Sequence, residues 1–192
     1  MTATQTLVRR DRWADWAVII LVTLALILGL ALREVVLSNT VPFTTESGIS
    51  GKYPADWIRE TATADPSLSV RNPRGGEFDT VLELYNRSLA HEAQTTLALD
   101  TLKLERTGQM AVYKDMGIEQ VTIDGKTATQ RTFTYIHVDD NPYLDQLPVV
   151  VQGIDLALRD GDRVVIVTFL ANAEDFEINY RYFRAFTESL RW

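Results

Sequence analysis

Residues 16–32 read WAVIILVTLALILGLAL, 17 positions without a charged side chain and with Thr23 as the one polar interruption. Including Trp13 and Ala14 gives an apolar stretch of about 20 positions with Asp15 at its edge, the length a helix needs to cross a hydrocarbon layer of about 30 Å. Trp13 and Trp16 stand at one end, where indole rings favour the headgroup zone. Arg9, Arg10 and Arg12 precede the run and only Arg33 follows it closely. That bias predicts a cell-membrane protein with one span, a cytoplasmic N-terminus and an extracytoplasmic body. A cleaved signal peptide with Gly29-Leu30-Ala31 as its processing site is the rival reading, and the run exceeds the usual signal core of about 7–15 residues. A buried core helix is the third reading, but no polar face recurs along the run. Arg9-Arg10 is followed by Asp11-Arg12, which gives a twin-arginine signal little support.

The expected organisation is a tail at 1–12, a transmembrane helix at 13–34, a linker at 35–47 and an outer domain at 48–192. Of 19 Lys+Arg and 26 Asp+Glu in the chain, four and three precede residue 40, so the rest carries 15 against 23, a charge of −8. An acidic surface of this kind repels phosphate backbones, which argues against nucleic acid as a partner. With no cysteine, thiolate metal sites, disulfides and cysteine nucleophiles are excluded.

The domain reads as α+β. Residues 33–47 carry Asn39, Pro42 and clustered Thr and Ser, the composition of a tether. Strands are predicted at 49–57, ended by Pro54, at 67–71 and at 80–86. A helix is predicted over about 91–105, with Ala93, Leu97, Thr101 and Leu104 on one face, Ser88 as a candidate N-cap and Gly108 as a stop. Alternating leucines at 97, 99, 102 and 104 leave a strand open there. Residues 117–123 and 127–138 flank Asp124-Gly125, a type I′ hairpin signal. Within the second arm, Thr127, Thr129, Arg131, Phe133, Tyr135 and His137 share a face. Residues 149–158 and 163–170 form a second hairpin about 159–162. A closing helix follows, with Asn172 as cap and Asp175 in the capping-box position. Its stripe of Phe176, Tyr180, Phe183, Phe186 and Leu190 predicts docking on the sheet.

Three of these segments occur together in one known family. Tyr53-Pro54 with Trp57, the hairpin Val121–Ala128 and the ending Ala173–Trp192 resemble the PsbP-like family. That family includes the extrinsic photosystem II protein, a eukaryotic Ran-binding relative and many bacterial domains. The resemblance covers about residues 46–192 and implies an antiparallel β-sheet flanked by helices, an α/β/α sandwich. Family members look like binding and assembly modules, which implies a non-catalytic accessory subunit docking on a larger membrane protein complex, photosynthetic or respiratory. The chain departs from the chloroplast proteins in its own apolar segment and in lacking a long basic extension.

The residues themselves carry little chemistry. His91 and His137 are the two imidazoles, and no Gly-x-Ser-x-Gly, Gly-x-Gly-x-x-Gly or phosphate-loop motif occurs. No enzyme and no cofactor is expected. His137, Asp139 and Asp140, with Asp145 nearby, are the candidate ligands for zinc or manganese. The alternative is a strand-end His before an Asp/Asn/Pro turn, since sequence neighbours on a strand face opposite ways. Tyr182 and Trp192 lie off the centre of the last helix's stripe and are candidate interface aromatics. The competing function is a tethered ligand- or metal-binding sensor with a pocket between sheet and helix.

Overall fold

Two strands rich in Val and Ile lie at the centre of the structure because both of their faces are buried. They are β8 (Val149–Asp160) and β9 (Arg163–Asn172), in which nearly every residue is covered. The computed structural model describes residues 16–30, 39–61, 65–90, 94–123, 125–138 and 147–192. The chain divides into two units, Met1–Thr40 and Val41–Trp192.

Within the first unit, residues 16–30 form helix α1, with exposed side chains throughout. Thr23 is satisfied inside it, its hydroxyl donating to the Ile19 carbonyl at 2.8 Å. Fifteen residues rise only about 22 Å. Among the described residues no helix is long and apolar enough to cross a membrane. The flanks of the expected span, 13–15 and 31–34, lie outside the described residues.

The second unit is an α+β fold built on a seven-stranded antiparallel sheet. Besides β8 and β9 it contains β3 (Ile58–Arg59), β4 (Leu68–Asn72), β5 (Thr80–Ser88), β6 (Ala111–Ile123) and β7 (Lys126–His137), in the order β3-β4-β5-β9-β8-β7-β6. A separate pair, β1 (Thr40–Thr44) with β2 (Ser50–Pro54), completes the strands. Helix α3 (Phe176–Ser189) and the β1–β2 pair cover one face of the sheet, and α2 (Thr95–Thr107) covers the other. Even-numbered residues of β8 and odd-numbered ones of β9, among them Ile154, Leu156, Val167 and Phe169, meet Phe176, Phe183, Phe186 and Leu190 of the closing segment. The opposite parity, Ala157, Val164 and Ile166, meets Ala98, Leu99 and Leu102 of α2.

Both predicted hairpins form. The first closes at Ile123↔Lys126, and the second at Asp160↔Arg163, tighter than the expected 159–162 loop, with Gly161 at φ 59°. Several expectations are corrected. Thr40–Thr44, read as tether, is strand β1, and its Phe43 is buried against Phe186. Alternation from Thr40 to Thr44 is what the Thr-rich composition concealed. Ser88 ends β5, and Gln94 takes the N-cap place of α2. Leu97 and Leu104 share a face as predicted, but that face is exposed, and Ala98, Leu99, Leu102 and Arg106 are the buried ones. Asn172 does not cap α3. Its side chain accepts from the Glu174 N–H in a turn before the helix, and Asp175 takes the N-cap place without a side-chain bond.

Candidate functional site

The face under α2 carries charges where its neighbours are apolar. Pairing places Glu83 opposite Thr168, Thr168 opposite Asp155 and Asp155 opposite Arg131, a polar row crossing β5, β9, β8 and β7. Each residue has the parity that points toward α2, and α2 adds Arg106 from its last turn. Positions 98, 102 and 106 recur every fourth residue, so the Arg106 side chain continues the buried stripe inward.

Arg106 is 5% exposed and Asp155 fully buried. The Arg106 Nη1 donates to both oxygens of Asp155, at 2.6 and 2.7 Å. Its Nη2 donates to Thr168 Oγ1 at 2.8 Å, and that hydroxyl donates to Asp155 Oδ1 at 2.7 Å. The guanidinium carbon lies 5.2 Å from the Phe133 ring centroid and 5.9 Å from that of Tyr85. Glu83 stands 3.7 Å from Arg106 and accepts from the Tyr85 hydroxyl at 2.8 Å.

A second cluster adjoins the first. Arg131, 1% exposed, donates to the Leu99 carbonyl and to Asp100 of α2, and its Nε lies 3.5 Å from Asp115. Asp115 also accepts from Lys103 Nζ at 2.8 Å and from the Gly117 N–H at 2.9 Å. Both arginines thereby fasten α2 to the sheet.

The protonation states follow from these surroundings. Burial raises the pKa of the Glu83 carboxyl, against the opposing pull of Tyr85 and Arg106. Burial, then the Glu83 charge, raises Tyr85, and burial raises Tyr135. Tyr113 is pushed up to about 12 by burial and then by Asp155 and Asp115. For Arg106 burial opposes the charge, yet the Asp155 carboxylate outweighs it and the pKa rises. Burial works against the Asp115 charge too, but Lys103, the Gly117 N–H and Arg131 hold that carboxyl below its ordinary value. The tyrosines stay protonated and Arg106 stays charged at neutral pH. Within this cluster Arg106, Asp155 and Thr168 satisfy one another, whereas the Arg131 Nε and the Tyr113 hydroxyl are buried without a hydrogen-bond partner.

Open features lie elsewhere in the domain. Beside α3 a groove of about 390 Å³ is lined by Val121, Ile123, Gln130, Tyr180, Arg184 and Glu188, among others. It exists because α3 covers the sheet centre and stops short of β6. Another open feature is the outer side of β6, at the end of the strand order.

His137 ends β7 with its ring against Phe78, centroids 5.0 Å apart and near perpendicular. Asp139, Asp140, Asp145 and His91 lie outside the described residues, and among the described residues no group of three metal-ligating side chains forms. Tyr182 is half-buried against Trp57, ring centroids 5.5 Å apart, and the Arg181 guanidinium carbon lies 4.9 Å from its ring centroid. Trp192 is half-buried and carries Lys126 Nζ 3.9 Å above its ring, while Arg191 bridges to Ser50. The structure does not bring Tyr182 and Trp192 together into one patch with His137. The cluster centred on Arg106 was not anticipated. Its sequence signal is Asp155 and Thr168 inside two strands otherwise Val- and Ile-rich, because a buried acid requires a partner.

The sequence matches no protein-family model and no curated protein. Solved structures do match in fold. The solution structure of cyanobacterial PsbP from Synechocystis superposes with a TM-score of 0.57 at 9% identity, covering 80% of this chain and 92% of that one. The Ran-binding protein Mog1p of Saccharomyces cerevisiae gives 0.52 at 11% identity, covering 80% and 95%. LpqN of Mycobacterium tuberculosis, described as involved in cell envelope biogenesis, gives 0.50 at 12% identity, covering 79% and 88%. At these identities the likeness is one of fold. The residues from 41 onward have a PsbP-like α+β fold.

Proposed function

We propose that this chain is a non-catalytic accessory subunit, anchored in a membrane by its N-terminal apolar segment, whose PsbP-like domain docks on a larger membrane protein complex. The observation that carries the reading is the internal bonding of the polar cluster: Arg106, Asp155 and Thr168 satisfy one another and Arg131 donates to α2. Their work is to hold the fold, which leaves the surface for binding. Mog1p, of the same fold, is a protein that binds another protein; the analogy is one of fold and supports the reading to that extent. The apolar run at 16–32, its exposed side chains at 16–30 and the arginines before it support the anchor and a cytoplasmic N-terminus. Photosynthetic and respiratory complexes are the candidate hosts.

Alkaline extraction of membranes, followed by protease protection, tests the anchor. The full chain stays with the membrane and its body is cut only from the outer side; release by alkali, or digestion from the cytosolic side, refutes the arrangement.

The groove beside α3 favours a second reading, a tethered ligand-binding domain, because its about 390 Å³ falls in the range of small-molecule sites. A thermal-shift screen of the full chain against metals and small metabolites separates the two. A saturable shift abolished by substituting Tyr180 or Arg184 supports the ligand reading. Chelator-sensitive zinc or manganese binding lost with His137 would place a metal at the end of β7.

A further inference from the structure

The sheet has two edges of different kinds. One is β3, two residues long. The other is β6, 13 residues long, whose outer side no strand pairs among the described residues. An open edge is a template for another strand, and proteins blunt it with bulges, charges and irregular backbone. The first half of β6 is blunted in this way. Register shifts interrupt it between Ala111 and Lys114 and between Asp115 and Gly117, and Val112 stands at φ 54° and Gly117 at 127°. The second half is not. From Gly117 to Ile123 it pairs with β7 residue for residue, and Glu119 is its sole charge.

The hairpin fixes which groups point outward. Ile123↔Lys126 closes it with two residues between, so that pair exchanges both hydrogen bonds, and the alternation repeats at 121, 119 and 117. Ile118, Gln120 and Thr122 therefore aim their N–H and C=O groups away from β7. Their side chains are exposed.

We propose that two copies of this chain pair antiparallel through residues 117–123 of β6, about a two-fold axis at Gln120, joining their sheets into one. In that register Gln120 faces its own counterpart, Ile118 faces Thr122 and Glu119 faces Val121. The three outward residues of each copy meet as hydrogen-bonded pairs, giving about six main-chain bonds. The segment's one charge lies off the axis opposite Val121, so the two Glu119 side chains are diagonal neighbours about 7–8 Å apart and not directly opposed. A second copy is the occupant this sequence admits: with Glu119 as the sole charge of 117–123, the two-fold pairing satisfies every outward backbone group between 118 and 122 without setting like charges directly opposite. A strand pair alone covers less than the roughly 800 Å² per partner of a standard interface. Association is accordingly weak in dilute solution and gains from confinement of both copies to one membrane.

The chain has no cysteine, so introduced thiols report alone. Membranes carrying the full-length chain, with both variants coexpressed where two are compared, are oxidised gently and the cross-linked dimer is read on a non-reducing gel. Gln120→Cys cross-links, its two Cα atoms being about 5.5 Å apart across the axis, within disulfide range. Ile118→Cys and Thr122→Cys fail singly, each being about 13 Å from its own counterpart, but cross-link when the two proteins are coexpressed. The expected contrast is on the order of tenfold in dimer yield. Because Gln120 also donates to Thr129 at 3.0 Å, the mixed pair serves as the variant that keeps this bond. Charge exchange is a second arm: I118K/T122E stays associated and I118K/T122K does not. Equal cross-linking at 118, 120 and 122, or equal behaviour of the two charge variants, overturns the proposal. The dimer is independent of the docking reading: Gln120→Cys cross-linking in a chain that purifies without any second polypeptide would retain the dimer and remove the docking.

Discussion

Replacing Arg106 with Met removes the charge that balances Asp155 while keeping most of the buried stem. Asp155, fully buried, would retain only the Thr168 hydroxyl at 2.7 Å. Arg131, opposite Asp155 in the sheet, directs its two Nη groups to the Leu99 carbonyl and Asp100 of α2 instead. Breaking one side of a buried ion pair costs about 3–5 kcal/mol, and two charge-assisted bonds at about 1.5–3 kcal/mol each give a similar figure. With a urea m-value of about 2 kcal/mol/M, a loss of about 4 kcal/mol moves the unfolding midpoint down by about 2 M. Far-ultraviolet circular dichroism reports the transition. Asp155→Val added to Arg106→Met recovers more than half of the loss, since it removes the stranded charge; the Thr168 hydroxyl, then without its partners, keeps about 1 kcal/mol of it. A midpoint shift below about 0.5 M for Arg106→Met, or a double variant no better than the single, refutes the claim that this ion pair fastens α2 to the sheet.

Glu83 gives a pH signature. Its folded-state pKa is raised by burial, so its contribution to stability is present in full below the unfolded value of about 4.3 and is lost as pH rises through the folded value. Glu83→Gln should match the native protein in acid and exceed it at neutral pH, as read by paired denaturation curves; a gap that closes at high pH contradicts the burial argument. At Gly153, an added methyl would meet the Phe133 ring at 2.3 Å. Gly153→Ala should cost about 1–3 kcal/mol, and adding Phe133→Leu should make the double variant less damaged than the sum. Strict additivity would mean that the two sites do not touch.

What could be read before folding was whatever repeats along the chain. The stripe Phe176, Phe183, Phe186 and Leu190 and the two hairpins were legible because periodicity and turn residues are local properties. Helix α2 shows the limit. Its Leu97 and Leu104 are as apolar as Leu99 and Leu102, so apolarity alone could not say which face turns inward. Arg106 decided it, by finding Asp155 on a strand 49 positions away in sequence. The hidden row of Glu83, Thr168, Asp155 and Arg131 depends on strand order, which no local pattern carries. The β1 strand was missed because Thr and Pro in TVPFT also suit a tether; pairing with β2 and burial of Phe43 under α3 settle it.

The accessory-subunit account is tested most directly by the native mass of the full-length tagged chain, extracted from its own membranes in mild detergent. It predicts a particle holding a second, different polypeptide in fixed proportion. Recovery of this chain alone, or as copies of itself only, would contradict it.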